Sequence, residues 1–193
     1  MKIFLNLLAL MVFTFAFAQE NVTYQNPLFC IEYSQEFKQP LEISYRVLCP
    51  NGDASRSGMD FYTNDTIITT TDEDYYKNIW DKGHMVPANA MSCNKEMLYE
   101  TFTYVNCALQ HEKLNRGVWN QLEQVEIALA RLYPNVYVTI KVDVDEDCKS
   151  MKSGAKIPRG FYKTITFDNS TFVFYFPNKD TSGTDWNNYL LKR

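Results

Sequence analysis

Histidine is scarce in this chain of 193 residues, which holds two, His84 and His111. It is the side chain whose ordinary pKa, about 6.5, suits proton transfer near neutrality, so a general base of this kind has few candidate positions. Two histidines and five scattered cysteines make no credible three-ligand catalytic zinc site. The cysteines, Cys30, Cys49, Cys93, Cys107 and Cys148, form no CxxC pair, which disfavours structural zinc as well. Basic charge is not in excess: 19 Lys and Arg stand against 23 Asp and Glu, for a net charge of −4. Tight stoichiometric binding of nucleic acid draws mainly on phosphate neutralisation, so that role is disfavoured. An enzyme that needs only a local cationic site and must release its product is not. There is no internal repeat, low-complexity tract or Gly/Ser/Pro-rich linker, so one domain is expected. Beyond the N-terminus no apolar run is long enough to span a bilayer.

The N-terminus itself is apolar. Lys2 precedes a run from Ile3 to Phe17, broken by Asn6 and Thr14, which ends in Ala16-Phe17-Ala18 before Gln19. A short positive start, an apolar middle and a small-x-small exit predict a secretory signal peptide over residues 1–18. Residues 19–193 are then a single mature domain, secreted or periplasmic. Export permits disulfides, and Cys30 with Cys49, flanking one predicted strand region, is the expected pair. Asn21-Val22-Thr23, Asn64-Asp65-Thr66 and Asn169-Ser170-Thr171 fit the glycosylation pattern, but in a chain rich in Asn and Thr they read as chance matches.

Periodicity places the remaining elements. Leu41, Ile43, Tyr45 and Val47 alternate with polar residues, as do Val136, Val138, Ile140, Val142 and Val144, and both predict strands. Residues 161–167 and 171–176 predict a hairpin that turns through Asp168-Asn169-Ser170. Val118, Trp119, Leu122, Val125, Leu129 and Leu132 recur at spacings of three and four until Pro134, which predicts one helix. Strands surrounding a central helix indicate the α+β class. Asp143, Asp145, Glu146 and Asp147 read as a solvated strand end.

The polar residues with chemical potential gather in two segments, Trp80-Asp81-Lys82-Gly83-His84 and the stretch from Asn106 to Glu123. Asp81-Lys82-Gly83-His84 resembles the Asp-Arg-Gly-His signature of the DNA/RNA non-specific endonucleases, a ββα-metal family. Asn106, Gln110, Asn115, Gly117, Trp119, Leu122 and Glu123 resemble that family's continuation, in order and in spacing. Ile157-Pro158 and Phe161-Tyr162-Lys163 are similar to a later strand of the family. The match runs from about Arg56 to Phe167.

The resemblance implies a ββα-metal nuclease fold, a mixed or antiparallel sheet with a central active-site helix, and hydrolysis of DNA and RNA phosphodiesters. His84 matches the histidine that takes a proton from the attacking water. Asn115 matches the single direct protein ligand to Mg2+, with Mn2+ as a substitute; a hard cation that keeps most of its waters suits one amide oxygen. Glu123 matches a carboxylate that holds the metal's waters. Eight residues beyond Asn115, it lies about 80° from it around an ideal helix. Asn106 matches an asparagine that helps position these groups and the substrate. Arg56 stands either as the counterpart of a phosphate-contacting arginine of the family or as a solvated loop arginine; the guanidinium's bidentate fit to phosphate keeps the first reading open. Lys82 stands where the family usually has arginine and lacks its planar fork. Asp81 reads as structural, Trp119 as core and His111 as exposed. Two other classes compete: a binding module on the same fold, against which the set His84, Asn115 and Glu123 counts, and the zinc hydrolase already disfavoured by ligand count.

Overall fold

Period-two alternation dictates the larger part of the molecule. The computed structural model describes residues 21–192; the stretch read as a signal peptide lies outside the described residues. In chain order the elements are strands β1 (Asn21–Gln25), β2 (Phe29–Ser34) and β3 (Gln39–Arg46), then a helical turn α1 (Asp72–Tyr75) and β4 (Trp80–His84). Helix α2 (Lys95–Glu100), β5 (Cys107–His111) and a single turn α3 (Glu112–Leu114) follow. A π-helical turn (Asn115–Trp119) runs into α4 (Asn120–Leu132), before β6 (Tyr137–Asp143), β7 (Gly160–Phe167), β8 (Ser170–Pro177) and β9 (Leu190–Lys192).

Seven strands form one antiparallel sheet in the order β1-β2-β3-β6-β7-β8-β9, and β4 with β5 forms a separate two-stranded ribbon. The predicted strands over 41–47 and 136–144 are β3 and β6, and the predicted hairpin is β7 and β8. Its turn residues, Asp168 and Asn169, both have positive φ, a conformation that Asp and Asn tolerate in two-residue hairpin loops. Ile31, Ile43, Tyr45, Val138, Ile140, Phe161, Ile165, Phe174 and Phe176 are buried in one core with Trp119, Leu122 and Ile127. The predicted helix is therefore the element that covers the sheet, and its regular part starts two residues later than the periodicity indicated. Packing of this size supplies most of the folding free energy, at about 25 cal/mol per Å² of apolar surface removed from water. No helix among the described residues is long and apolar enough to cross a membrane.

One expectation is refined and one corrected. The acidic residues at the end of β6 lie at a strand end open to solvent, as expected, and Arg159 bridges Asp143 and Asp145 there. The disulfide joins Cys49 to Cys93, not Cys30 to Cys49, and Cys30 is a free thiol. Cys30 sits inside β2 opposite Ser44, five residues short of Cys49. That gap is roughly 16 Å of extended chain, whereas bridged cysteines need their Cα atoms within about 7 Å. Spacing along the chain could not reveal this, because Cys93 arrives from a loop 44 residues away.

The Cys49–Cys93 bridge fastens two loops that carry cleft residues. Leu48 and Cys49 donate backbone hydrogen bonds to the Ala90 carbonyl, and Ala54 donates to Ser92. Cys93→Ser should lower stability by about 2–4 kcal/mol, the usual effect of losing such a cross-link. Urea unfolding measures the loss. Peptide mapping without reduction should recover Cys49 linked to Cys93; a Cys30-containing linked peptide would contradict the structure.

Candidate active site

A ribbon and a helix converge to make the site. In β4 and β5 the register sets His84 opposite Cys107 and Asp81 opposite Gln110. This register leaves no room for a side chain at position 83. A Cβ there would lie 2.4 Å from Gln110 Oε1 and 2.6 Å from Gln110 Cβ, so glycine is needed for the two strands to approach beside the histidine. Beyond His84 the chain turns away under the control of Asn106. The Asn106 Oδ1 accepts from the Val86 amide at 2.8 Å, and its Nδ2 donates to the carbonyls of Val86 and Thr101 at 3.0 and 2.9 Å. Met85 adds a backbone bond to the Asn106 carbonyl. Asn106 is fully buried. It therefore positions the segment that follows His84 and lies behind the cleft rather than in it.

The cleft, about 300 Å³, is lined by Arg56, His84, Asn89, Asn115, Arg116 and Glu123, among others. The His84 ring is wedged between Phe61 and Phe102, with ring centroids at 4.8 and 5.0 Å. Its Nε2 is buried without a hydrogen-bond partner. Burial and, second, the Arg56 guanidinium lower its pKa from the ordinary 6.5 to about 4, because both disfavour the charged imidazolium. The ring is thus neutral, and ready to accept a proton, at any pH above that value.

Asn115 begins the π-turn and donates its Nδ2 to Asp81 Oδ2 at 2.9 Å. An amide has one donor end and one acceptor end. With the donor taken by a carboxylate, Oδ1 is the end left to the cleft. Glu123, on the first turn of α4, lines the same cleft. Burial raises its pKa to about 7; Lys163 opposes that rise and Glu126 adds to it. No group of three or more His, Cys, Asp and Glu able to hold a metal occurs among the described residues. One free amide oxygen beside one carboxylate does fit a hard divalent ion that keeps most of its waters, and fits zinc poorly.

Of the residues predicted from sequence, His84, Asn115, Glu123 and Arg56 come together in this cleft. Lys82 does not line it. Its Nζ pairs with Asp72, lies 3.8 Å from Asp60, and sits over the rings of Phe61 and Tyr104. His111 is half-buried rather than exposed, and its Nδ1 accepts from the Lys113 amide as a helix cap. Asp81 is structural in a sense the sequence did not show: it grips Asn115 and Arg116 from the strand that carries His84.

A sequence profile of the DNA/RNA non-specific endonucleases matches residues 9–192. The chain belongs to that family. It is 36% identical over 90 residues to the mitochondrial endonuclease G of Bos taurus, covering 45% of this chain and 30% of the relative. It is 26% identical over 151 residues to the mitochondrial nuclease EXOG of Danio rerio, covering 70% and 44%. The chain thus spans less than half the length of these curated relatives. The fold is that of EndoG as solved in complex with EndoGI: the TM-score is 0.77 at 23% identity, over 91% of this chain and 82% of the other. The α+β architecture, with its antiparallel sheet and ribbon-plus-helix site, is the ββα-metal nuclease fold of this endonuclease family.

Sequence reasoning missed the support beneath Glu123. Lys163 occupies an inward position of β7, between Phe161 and Ile165. Its Nζ lies 2.7 Å from Glu126 Oε1 and 3.9 Å from the centre of the Trp119 ring, and both charged side chains are fully buried. Tyr45 Oη donates to the other Glu126 oxygen at 2.6 Å. The only signal was Lys163 itself at an inward position of an alternating strand; Glu126 falls on a helix face where periodicity expects an apolar residue.

Removing one member of a buried ion pair strands the other charge, at a cost of about 3–5 kcal/mol. Lys163→Met should therefore unfold at a markedly lower urea concentration than the parent. The triple variant Lys163→Met, Glu126→Leu, Tyr45→Phe removes every polar partner together and should recover most of the loss. A single variant with the parent's unfolding midpoint would show that the pair does not hold the helix.

Proposed function

We propose that this chain is an exported, Mg2+-dependent endonuclease that hydrolyses DNA and RNA phosphodiesters with little regard to sequence. The observation that carries the reading is the convergence on one cleft of an unpartnered neutral imidazole, an amide oxygen free of protein donors, a carboxylate and an arginine. His84 takes the proton from the attacking water. Oxygen bonds to phosphorus as the bond to the 3′ oxygen breaks, leaving a 5′-phosphate and, once that oxygen takes a proton from solvent, a 3′-hydroxyl. Arg56 supplies positive charge to the phosphate. Asn115 Oδ1 would hold a divalent ion directly, and Glu123 would accept hydrogen bonds from waters that the ion carries. When bound, the ion supplies Lewis-acid stabilisation to the phosphate and to the departing oxygen.

Lack of sequence preference follows from what the cleft contains. Each of these groups addresses the phosphodiester, and contacts to phosphate position a strand without reading its bases. Export is supported by the apolar N-terminal stretch and by the Cys49–Cys93 bridge, since disulfides persist in oxidising compartments. N-terminal sequencing of the processed protein tests it; a chain that retains residues 1–18 in the cytoplasm would overturn that part of the reading.

Cleavage of circular duplex DNA, single-stranded DNA and structured RNA is the decisive assay, run at low salt with Mg2+ and with a chelator. All three substrates should yield mixed fragments, and chelation should abolish the activity. Discrete bands from the duplex at one repeated sequence would instead show base reading. His84→Ala should lower turnover by at least about 100-fold with the fold retained by circular dichroism. At saturating Mg2+, kcat/KM should stay level as pH falls past 6.5 and decline only toward about 4, because a lowered pKa keeps His84 unprotonated over that range. An acid limb centred at 6.5 that persists in Glu123→Gln, which removes the other group titrating near neutrality, would mean that the base is a solvated histidine.

A further inference from the structure

Asn115 and Arg116 are adjacent on a helical turn, yet both reach one carboxylate. Consecutive helical side chains point about 100° apart, so a shared partner must lie between them. Asp81 does. Its Oδ2 accepts from Asn115 Nδ2 at 2.9 Å and from Arg116 Nε at 2.8 Å, and its Oδ1 accepts from an Arg116 terminal nitrogen at 2.6 Å. Glu112, one turn earlier, lies 3.4 Å from the other terminal nitrogen. The turn is π-helical, with Gly117 at φ −101° and ψ −117°, outside helical geometry. The Arg116 side chain is 66% exposed, and an ion pair so open to water adds little to stability. Its value lies in what it orients.

We propose that Arg116 and Asp81 are positioning residues for the metal ligand: the Arg116 fork locks the Asp81 carboxylate, and that carboxylate locks the Asn115 amide with oxygen toward the cleft. The inference rests on the reading of Asn115 as the ligand. A carboxylate accepts and does not donate, so it selects the amide's NH2 end. Without it the amide can turn and present hydrogens where a cation needs oxygen. A two-point grip also fixes the plane of the carboxylate, which a lysine in place of Arg116 cannot do. Because Asp81 lies on β4 three residues before His84, the same contacts tie the strand of the base to the turn of the ligand.

Calorimetric titration of the mature protein with Mn2+, in the absence of nucleic acid, tests this without using activity. Arg116→Ala should bind Mn2+ about 10- to 100-fold more weakly, the range for losing a group that orients a metal ligand, and Arg116→Lys should fall between it and the parent. Adding Arg116→Ala to Asn115→Ala should cause no further loss, since the amide to be oriented is gone. Circular dichroism should be unchanged throughout. If Asn115→Ala loses Mn2+ binding but Arg116→Ala binds as the parent does, and instead shows a raised KM for polynucleotide, Arg116 is a substrate contact and the inference is overturned. An Arg116→Lys variant equal to the parent overturns the two-point grip. If Asn115→Ala itself binds Mn2+ like the parent, the ligand assignment falls first and this inference with it.

Discussion

A lysine and a glutamate sealed between helix and sheet govern the geometry of this molecule. Burying either charge alone is costly, and the cost is offset only while Lys163, Glu126 and Tyr45 keep their hydrogen bonds at 2.6–2.7 Å. An apolar interface tolerates sliding and rotation by fractions of a side chain, whereas this one does not. α4 must therefore sit on the sheet at one rotation, fixed from β7 through Lys163 and from β3 through Tyr45. Glu123 lies one turn before Glu126 on the same helix. Its place in the cleft follows from a constraint that never reaches the cleft.

The opposite wall is fixed by different means. Asn106 uses both ends of its amide to hold the chain just beyond His84, and Phe61 and Phe102 confine the imidazole by packing. Arg56 arrives on a third segment, a loop kept near Ser92 by the Cys49–Cys93 bridge and the Ala54 hydrogen bond. Asp81 joins the first wall to the second. His84, Arg56, and Asn115 with Glu123 thus come from three separate segments, and each segment has its own restraint. Such supports let reacting groups meet at useful distances without reorganising at the moment of reaction.

Much of this was legible in the sequence, for reasons that also mark where legibility ends. β3, β6 and the β7–β8 hairpin alternate cleanly because one face of the sheet meets the core, and α4 follows its own apolar stripe. β4 and β5 gave no such signal: Trp80-Asp81-Lys82-Gly83-His84 is chosen for the site and the ribbon, not for burying one face. His84, Asn115, Glu123 and Arg56 could be named from an ordered motif, since the chemistry fixes residue types at fixed spacings. Lys82 shows the limit, as its place in the motif says nothing of Asp72 and Asp60, which hold it away from the cleft. The partner of Cys49 and the pairing of Lys163 with Glu126 depend on which distant segments meet. No local pattern encodes that.

Electrostatics then separates the roles of the two titrating groups in the cleft. Burial acts on both in the same sense, against charge, and so moves their pKa values in opposite directions, His84 down to about 4 and Glu123 up to about 7. Between those values burial favours a neutral imidazole and a protonated carboxyl. A divalent ion bound nearby would favour the Glu123 carboxylate, because positive charge stabilises it, and its binding would release a proton. The same ion would push His84 further toward neutrality. A group that gains charge with the metal is suited to holding the metal's waters, while a group that stays uncharged with or without it is suited to receiving a proton. The two shifts therefore follow from a single cause, burial away from water, acting on an acid and on a base.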